Sequence, residues 1–152
     1  MQRHLSGRAE ATYLRQMENP PAGSVESRLQ RLADQSYAVL LAALQWTFTL
    51  RDRAAGALLE QSRRAMLNLH EVYHLLASRG ATPRFDLPAT AAPPLDDAAG
   101  ALAFVDALAV AVQATLAELA QVGDAAVRAL ATRQAGITEE LFTALRDALD
   151  VP

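Results

Sequence analysis

Residues 80–97 read GATPRFDLPATAAPPLDD. Four prolines fall in these eighteen positions. Each proline removes a backbone donor and fixes φ, and each also pushes the preceding residue towards extended backbone, so the stretch is closed to regular helix. A connection this long needs a structural reason in a compact domain. Drawn out, about 15 residues reach roughly 45 Å, while a 25-residue helix is only about 37 Å long. The stretch therefore has the reach to cross a helical bundle from end to end. The element after it would then start at the end where the element before it started, and the two would run parallel.

Helical sequence flanks the stretch on both sides. Upstream, residues 54–78 read as a helix with Gly80 as its C′ residue. Ser24 is an N-cap for an earlier helix running to about Leu50. The short Arg51-Asp52-Arg53 link makes these two antiparallel neighbours. Downstream, Asp96 or Asp97 caps a third helix that continues to about Val122. Gly123-Asp124 is a tight turn with Asp124 as N-cap, and a fourth helix extends to about Leu149. Gly136 sits inside it as a candidate kink, ahead of Ile137-Thr138-Glu139-Glu140. Short link, long crossover, short link: the expected fold is an all-α antiparallel four-helix bundle of up-down-down-up topology, occupying residues 24–152. Residues 1–23 form an N-terminal arm. It carries Leu5, Tyr13, Leu14 and Met17 in a short helical stretch over 1–18, and it ends in the linker Asn19-Pro20-Pro21-Ala22-Gly23.

Composition agrees. In 152 residues, 51% are hydrophobic and only 5% aromatic, enough to bury one core. Good helix formers dominate and β-branched runs are scarce. With no cysteine, disulfides, thiol catalysis and Cys-type metal sites are excluded. The net charge is -3, and no helix face gathers arginine without acids nearby, so nucleic acid is not an expected partner. The N-terminus lacks an apolar signal core, and the longest uncharged run, Gln35 to Leu50, is too short to span a bilayer. A cytoplasmic protein without membrane contact is expected.

Residues 36–50, SYAVLLAALQWTFTL, are apolar almost all the way round. Such a helix is either central or covered by a second subunit. The expectation is a homodimer through this helix, with Leu41 and Trp46 in the buried set and Trp46 and Phe48 as core or subunit contacts.

The phrase LLASRGATPRF, residues 75–85, together with the long crossover, resembles the ferritin-like superfamily over residues 25–149. That resemblance implies a pair of metals in the bundle centre, held by a Glu from helices one and three and a Glu-x-x-His pair from helices two and four. The corresponding places are Ala65 and Asn68 in helix two, and Glu140 with Thr143 in helix four. Helix one offers Asp34, and helix three offers Asp106 and Gln113. That is not a di-metal ligand set, so the resemblance implies a bundle whose di-iron chemistry has been lost.

The sharpest local motif is His70-Glu71-Val72-Tyr73-His74. Two imidazoles at i and i+4 share a helix face and can chelate zinc or iron, with the Glu beside them. On a helical wheel the apolar residues of helix two, Leu58, Leu59, Ala65, Met66, Leu69, Val72, Tyr73, Leu76 and Ala77, centre near Leu69. His70 lies about 90° from that centre, His74 about 130°, and Glu71 near the opposite pole. A zinc peptidase would need a third ligand, and the only other histidine is His4, in the arm.

Asp106 and Gln113 share a face of helix three, as ligands or as its solvent stripe. Gln134 is the polar member of a seam through Val127, Leu130, Ile137, Leu141, Ala144 and Ala148, the kind of position that fixes register. No nucleophile–base pair and no phosphate loop is present. The first functional expectation is therefore a non-enzymatic bundle acting through self-association or partner binding. The alternative is a metal-binding protein that stores, senses or uses a metal through His70, Glu71 and His74. A cavity among the many alanines, open to a small apolar ligand, is a third possibility.

Overall fold

A computed structural model describes residues 23–50 and 53–150. It contains four helices, α1 (Val25–Thr49), α2 (Arg53–Ser78), α3 (Ala98–Leu119) and α4 (Ala125–Leu149), and no strand among the described residues. The expected arm helix over 1–18 and nearly all of the linker lie outside those residues.

The expected caps are in place. The Ser24 hydroxyl accepts from the Ser27 amide at 3.1 Å, Asp97 from Gly100 at 2.9 Å, and Asp124 from Ala126 and Val127 at 2.9 and 3.2 Å. Each satisfies amide donors that a helix start leaves orphaned. The Val127 and Ala126 amides, with Arg79, hold the Asp124 carboxyl below its ordinary range. At the end of α2, Gly80 adopts φ +79°. Its amide bonds Ala77 O at 3.0 Å, and the Ala81 amide bonds Leu76 O at 3.0 Å, the paired closure of a Schellman stop. Two expectations shift. α3 ends at Leu119, three residues early, and α4 runs unbroken through Gly136.

Cross-helix contacts fix the directions. Arg79 near the end of α2 meets Glu26 at the start of α1 at 3.0 Å. Arg31 of α1 reaches Glu118 at the end of α3 at 3.2 Å, while Trp46 meets Phe104 edge-on near the start of α3, ring centroids 6.3 Å apart. Arg146 near the end of α4 bonds Asp106 of α3 at 2.7 Å. Arg79 also pairs with Asp124 at the start of α4. Every adjacent pair is antiparallel, with α1 beside α2 and α3, and α4 beside α2 and α3. The diagonal pair α2 and α3 is consequently parallel, which is the up-down-down-up order.

The crossover is a strap pinned at two levels of α1. Gln30 holds it at one end: its Nε2 donates to Arg84 O at 3.1 Å, and its Oε1 accepts from the Arg84 amide at 3.1 Å. Tyr73 donates its hydroxyl to Arg84 O at 3.1 Å and packs against Phe85, ring centroids 4.4 Å apart and planes tilted by 45°. At the other end Trp46 Nε1 donates to Pro93 O at 2.8 Å and Gln45 Nε2 to Ala92 O at 3.2 Å. Residues 30 and 46 are about 24 Å apart along a helix, and the nine links from 84 to 93 span at most about 30 Å. The strap therefore has the reach to join both anchors, with a bend at residues 89–90. Ala38 and Ala42 of α1, between the anchors, are buried. Burial beneath this corner pushes the Asp34 carboxyl up, partly offset by Gln30. Burial, then Asp34, raises the Tyr73 hydroxyl to about 12.

The core is aliphatic and continuous through the bundle, from Leu29, Leu32, Val39 and Trp46 of α1 to Val127, Leu130, Leu141 and Leu145 of α4. Trp46 is 0% exposed, so α2, α3 and the strap cover the inward half of the apolar helix without help from a partner. α3 is the most apolar element. An 18-residue stretch of this 22-residue helix has a mean hydropathy of 1.7, long and apolar enough by length and composition to cross a membrane, and about a third of that stretch is buried in the bundle. Asp106 interrupts it, so the longest uncharged run in the sequence is Gln35 to Leu50 instead.

Candidate functional site: the mid-bundle polar layer and the outer face of α2

Halfway along the bundle, all four helices contribute to one small cavity of about 10 Å³. Ser36 and Val39 come from α1, Ala65 and Asn68 from α2, Val112 from α3, and Thr138, Leu141 and Phe142 from α4. A space of that size holds about one water molecule, so it is no pocket for an apolar ligand. Its polar lining is two hydroxyls and one carboxamide. Beside it Gln134, 1% exposed, donates from Nε2 to Asn68 O at 3.1 Å. That bond ties α4 to α2 at one register, as a lone polar seam residue does.

Of the positions singled out in sequence, Ala65 and Asn68 are at this centre. The others are not. Asp34 is half-buried under the strap corner, bonded by Gln30 at 2.8 Å. Asp106 is exposed and paired with Arg146. Gln113 faces the α3/α4 groove beside Glu139. Glu140 is exposed, 3.9 Å from Arg64, and Thr143 is exposed. In their stead α1 presents Ser36, α3 presents Val112, and α4 presents Thr138 and Leu141, spaced i, i+3 as Ala65 and Asn68 are.

The buried face of α2 is rotated from the one apolar counting gives. Gln61, Ser62 and Asn68 are buried, whereas Leu59 and Met66 are 55% and 53% exposed. The rotation explains Glu71. Expected near the pole facing water, it lies instead in the α2/α4 groove, half-buried and paired with Arg133. Arg64, Asn68, Ile137 and Glu140 line the same groove. The two histidines stay outside. His70 and His74 are both exposed, with ring centroids 6.5 Å apart and planes 12° from parallel. The HExxH motif is thus divided, its imidazoles on the outer face and its carboxylate round the helix against α4. No group of three or more His, Asp or Glu among the described residues is arranged to hold a metal.

On the outer side of α1, Tyr37, Leu41 and Leu44 are half-buried and Phe48 is 86% exposed. Spaced i, i+4, i+7, i+11, they form one stripe. Glu26 opposite Arg79 sets the antiparallel pairing of the two helices, which places Leu44 and Phe48 at about the axial level of Leu59, and Tyr37 and Leu41 at about that of Met66.

No family model matches the chain, and comparison with curated proteins and with solved structures finds no match either.

Proposed function

We propose that this chain is a non-enzymatic, ferritin-like helical bundle without a di-iron centre, cytoplasmic, acting as a homodimer through the outer face of α1 over residues 36–50. The phrase LLASRGATPRF and the long crossover suggest the family, and the up-down-down-up order is compatible with it. The central residues do not suit a pair of metals. Two cations need several carboxylates and imidazoles around them, and the cavity offers Ser36, Asn68 and Thr138 among apolar side chains. With no ionised ligand to hold, the centre needs no counter-charge, which spares the several kcal/mol that buried unpaired carboxylates cost.

The observation that carries association is the stripe ending in Phe48, 86% exposed, with the exposed Leu59 and Met66 at similar levels of α2. Contiguous apolar side chains of this size on a surface mark a contact site. A second copy is the favoured occupant. From Gln35 to Leu50 there is no charged side chain, so the stripe offers nothing for a charged partner to complement, while a two-fold contact makes any apolar patch complementary to itself. Light scattering on tag-free protein tests this. Twice the 16.3 kDa chain mass is expected, and a single chain mass at high concentration sinks it.

A further inference from the structure

We infer that His70 and His74 form a two-imidazole clamp for a divalent transition-metal ion on the outer face of α2. Glu71 takes no part in it. The pair sits one helical turn apart in the C-terminal third of a 26-residue helix, so the backbone holds both donors at a fixed spacing. Both rings are exposed, nearly parallel, and 6.5 Å apart between centroids. Among the described residues neither imidazole has a hydrogen-bond partner or an acidic neighbour within ion-pair distance. The nearest carboxylate in sequence, Glu71, is occupied by Arg133 on another face.

Metal–imidazole bonds of roughly 2.0–2.1 Å bring the centroids of two cis rings to about 5 Å. Closing from 6.5 Å requires only side-chain rotation, which exposed rings undergo freely. Two imidazoles and open positions suit late first-row ions, with Cu²⁺ bound tightest and Mn²⁺ weakest. The remaining positions go to water, as a pair of protein donors leaves them open. This site is independent of the dimer reading, since each chain carries both ligands.

The test is calorimetric titration of tag-free, full-length protein with Cu²⁺, Ni²⁺, Zn²⁺ and Mn²⁺, each alone. One ion per chain is expected, with Cu²⁺ the tightest and Mn²⁺ without measurable heat. His70→Ala and His74→Ala should each forfeit the chelate gain, weakening Cu²⁺ by on the order of a hundredfold. Both side chains are exposed, so the metal-free melting temperature of either variant should match the wild type, and Cu²⁺ should raise only the wild-type value appreciably. His4→Ala should bind as the wild type does. Binding that survives both helix substitutions, binding removed by His4→Ala instead, or no Cu²⁺ binding by the wild type overturns the inference.

Discussion

The two faces of α2 reverse the usual allocation of residues. Inward it buries Gln61, Ser62 and Asn68 among Leu58, Ala65, Leu69, Val72 and Leu76, and outward it leaves Leu59 and Met66 half in water. Polar groups buried in a core cost stability unless they are bonded, and large apolar groups left outside forgo burial worth about 1.5–3 kcal/mol each. A chain shaped by monomer stability alone would exchange the two sets. α3 supplies the contrast. It is more apolar than α2, yet its outward positions Ala103, Ala107, Ala114 and Ala117 are small, and Val110 is the large apolar side chain it exposes. Among the described residues, three large exposed apolar side chains, Phe48, Leu59 and Met66, lie on α1 and α2, while Leu67 lines the α2/α4 groove, Phe85 and Leu87 lie on the strap and Val110 on α3.

Substitutions separate the two faces of α2 most sharply at paired leucines. Leu69→Ala, on the inward face, should cost about 2–5 kcal/mol in chemical denaturation. Leu59→Ala should change the stability of the dilute, single chain by less than about 0.5 kcal/mol, with a loss that grows with protein concentration as association contributes. Equal effects at the two positions would abolish the distinction.

Next in size is the strap. Gln30→Ala removes both bonds to the Arg84 backbone, at roughly 1–3 kcal/mol for two partly buried hydrogen bonds. Limited proteolysis should then cut faster between residues 84 and 93, and an unchanged rate would show that Trp46 and Gln45 suffice to hold it.

A smaller effect is expected at Asp34. Burial raises its folded carboxyl above the ordinary 3.8, so the ionised form opposes folding. That cost is present at neutral pH, fades as pH falls through the raised folded value, and is gone below 3.8. Asp34→Asn keeps an oxygen acceptor for Gln30. It should raise the melting temperature at neutral pH, and the gain should vanish in acid, as a paired set of melting curves would show. A gain independent of pH would mean that ionisation is not its source. Smallest of all, His74→Ala should leave metal-free stability within about 0.5 kcal/mol.

The fold was legible in sequence because its signals are local and strong. Prolines at 83, 88, 93 and 94 forbid helix, Gly80 stops α2, and Ser24, Asp97 and Asp124 start three helices. Together with chain reach these suffice for the topology. The centre was half legible. Ala65 and Asn68 come from the ferritin-like resemblance, counted back along one helix from Gly80, but Ser36, Val112, Thr138 and Leu141 depend on how far the helices slide past one another, which cross-helix packing sets. The inward turn of Gln61 and Asn68 was hidden because a wheel weighted by apolarity assigns Leu59 and Met66 their places. Trp46, expected as a core or subunit contact, proves to be core, since its indole N–H finds Pro93 O on the strap, a partner 47 residues away.

The most direct test is sedimentation equilibrium of the wild type beside Phe48→Asp over a wide concentration range. Phe48 is 86% exposed, so this variant should fold and melt as a dilute wild-type chain does. The expected result is a wild type at twice 16.3 kDa and a variant at the single-chain mass. A wild type that stays monomeric, or a Phe48→Asp variant that dimerises as tightly, would contradict association through the outer stripe of α1.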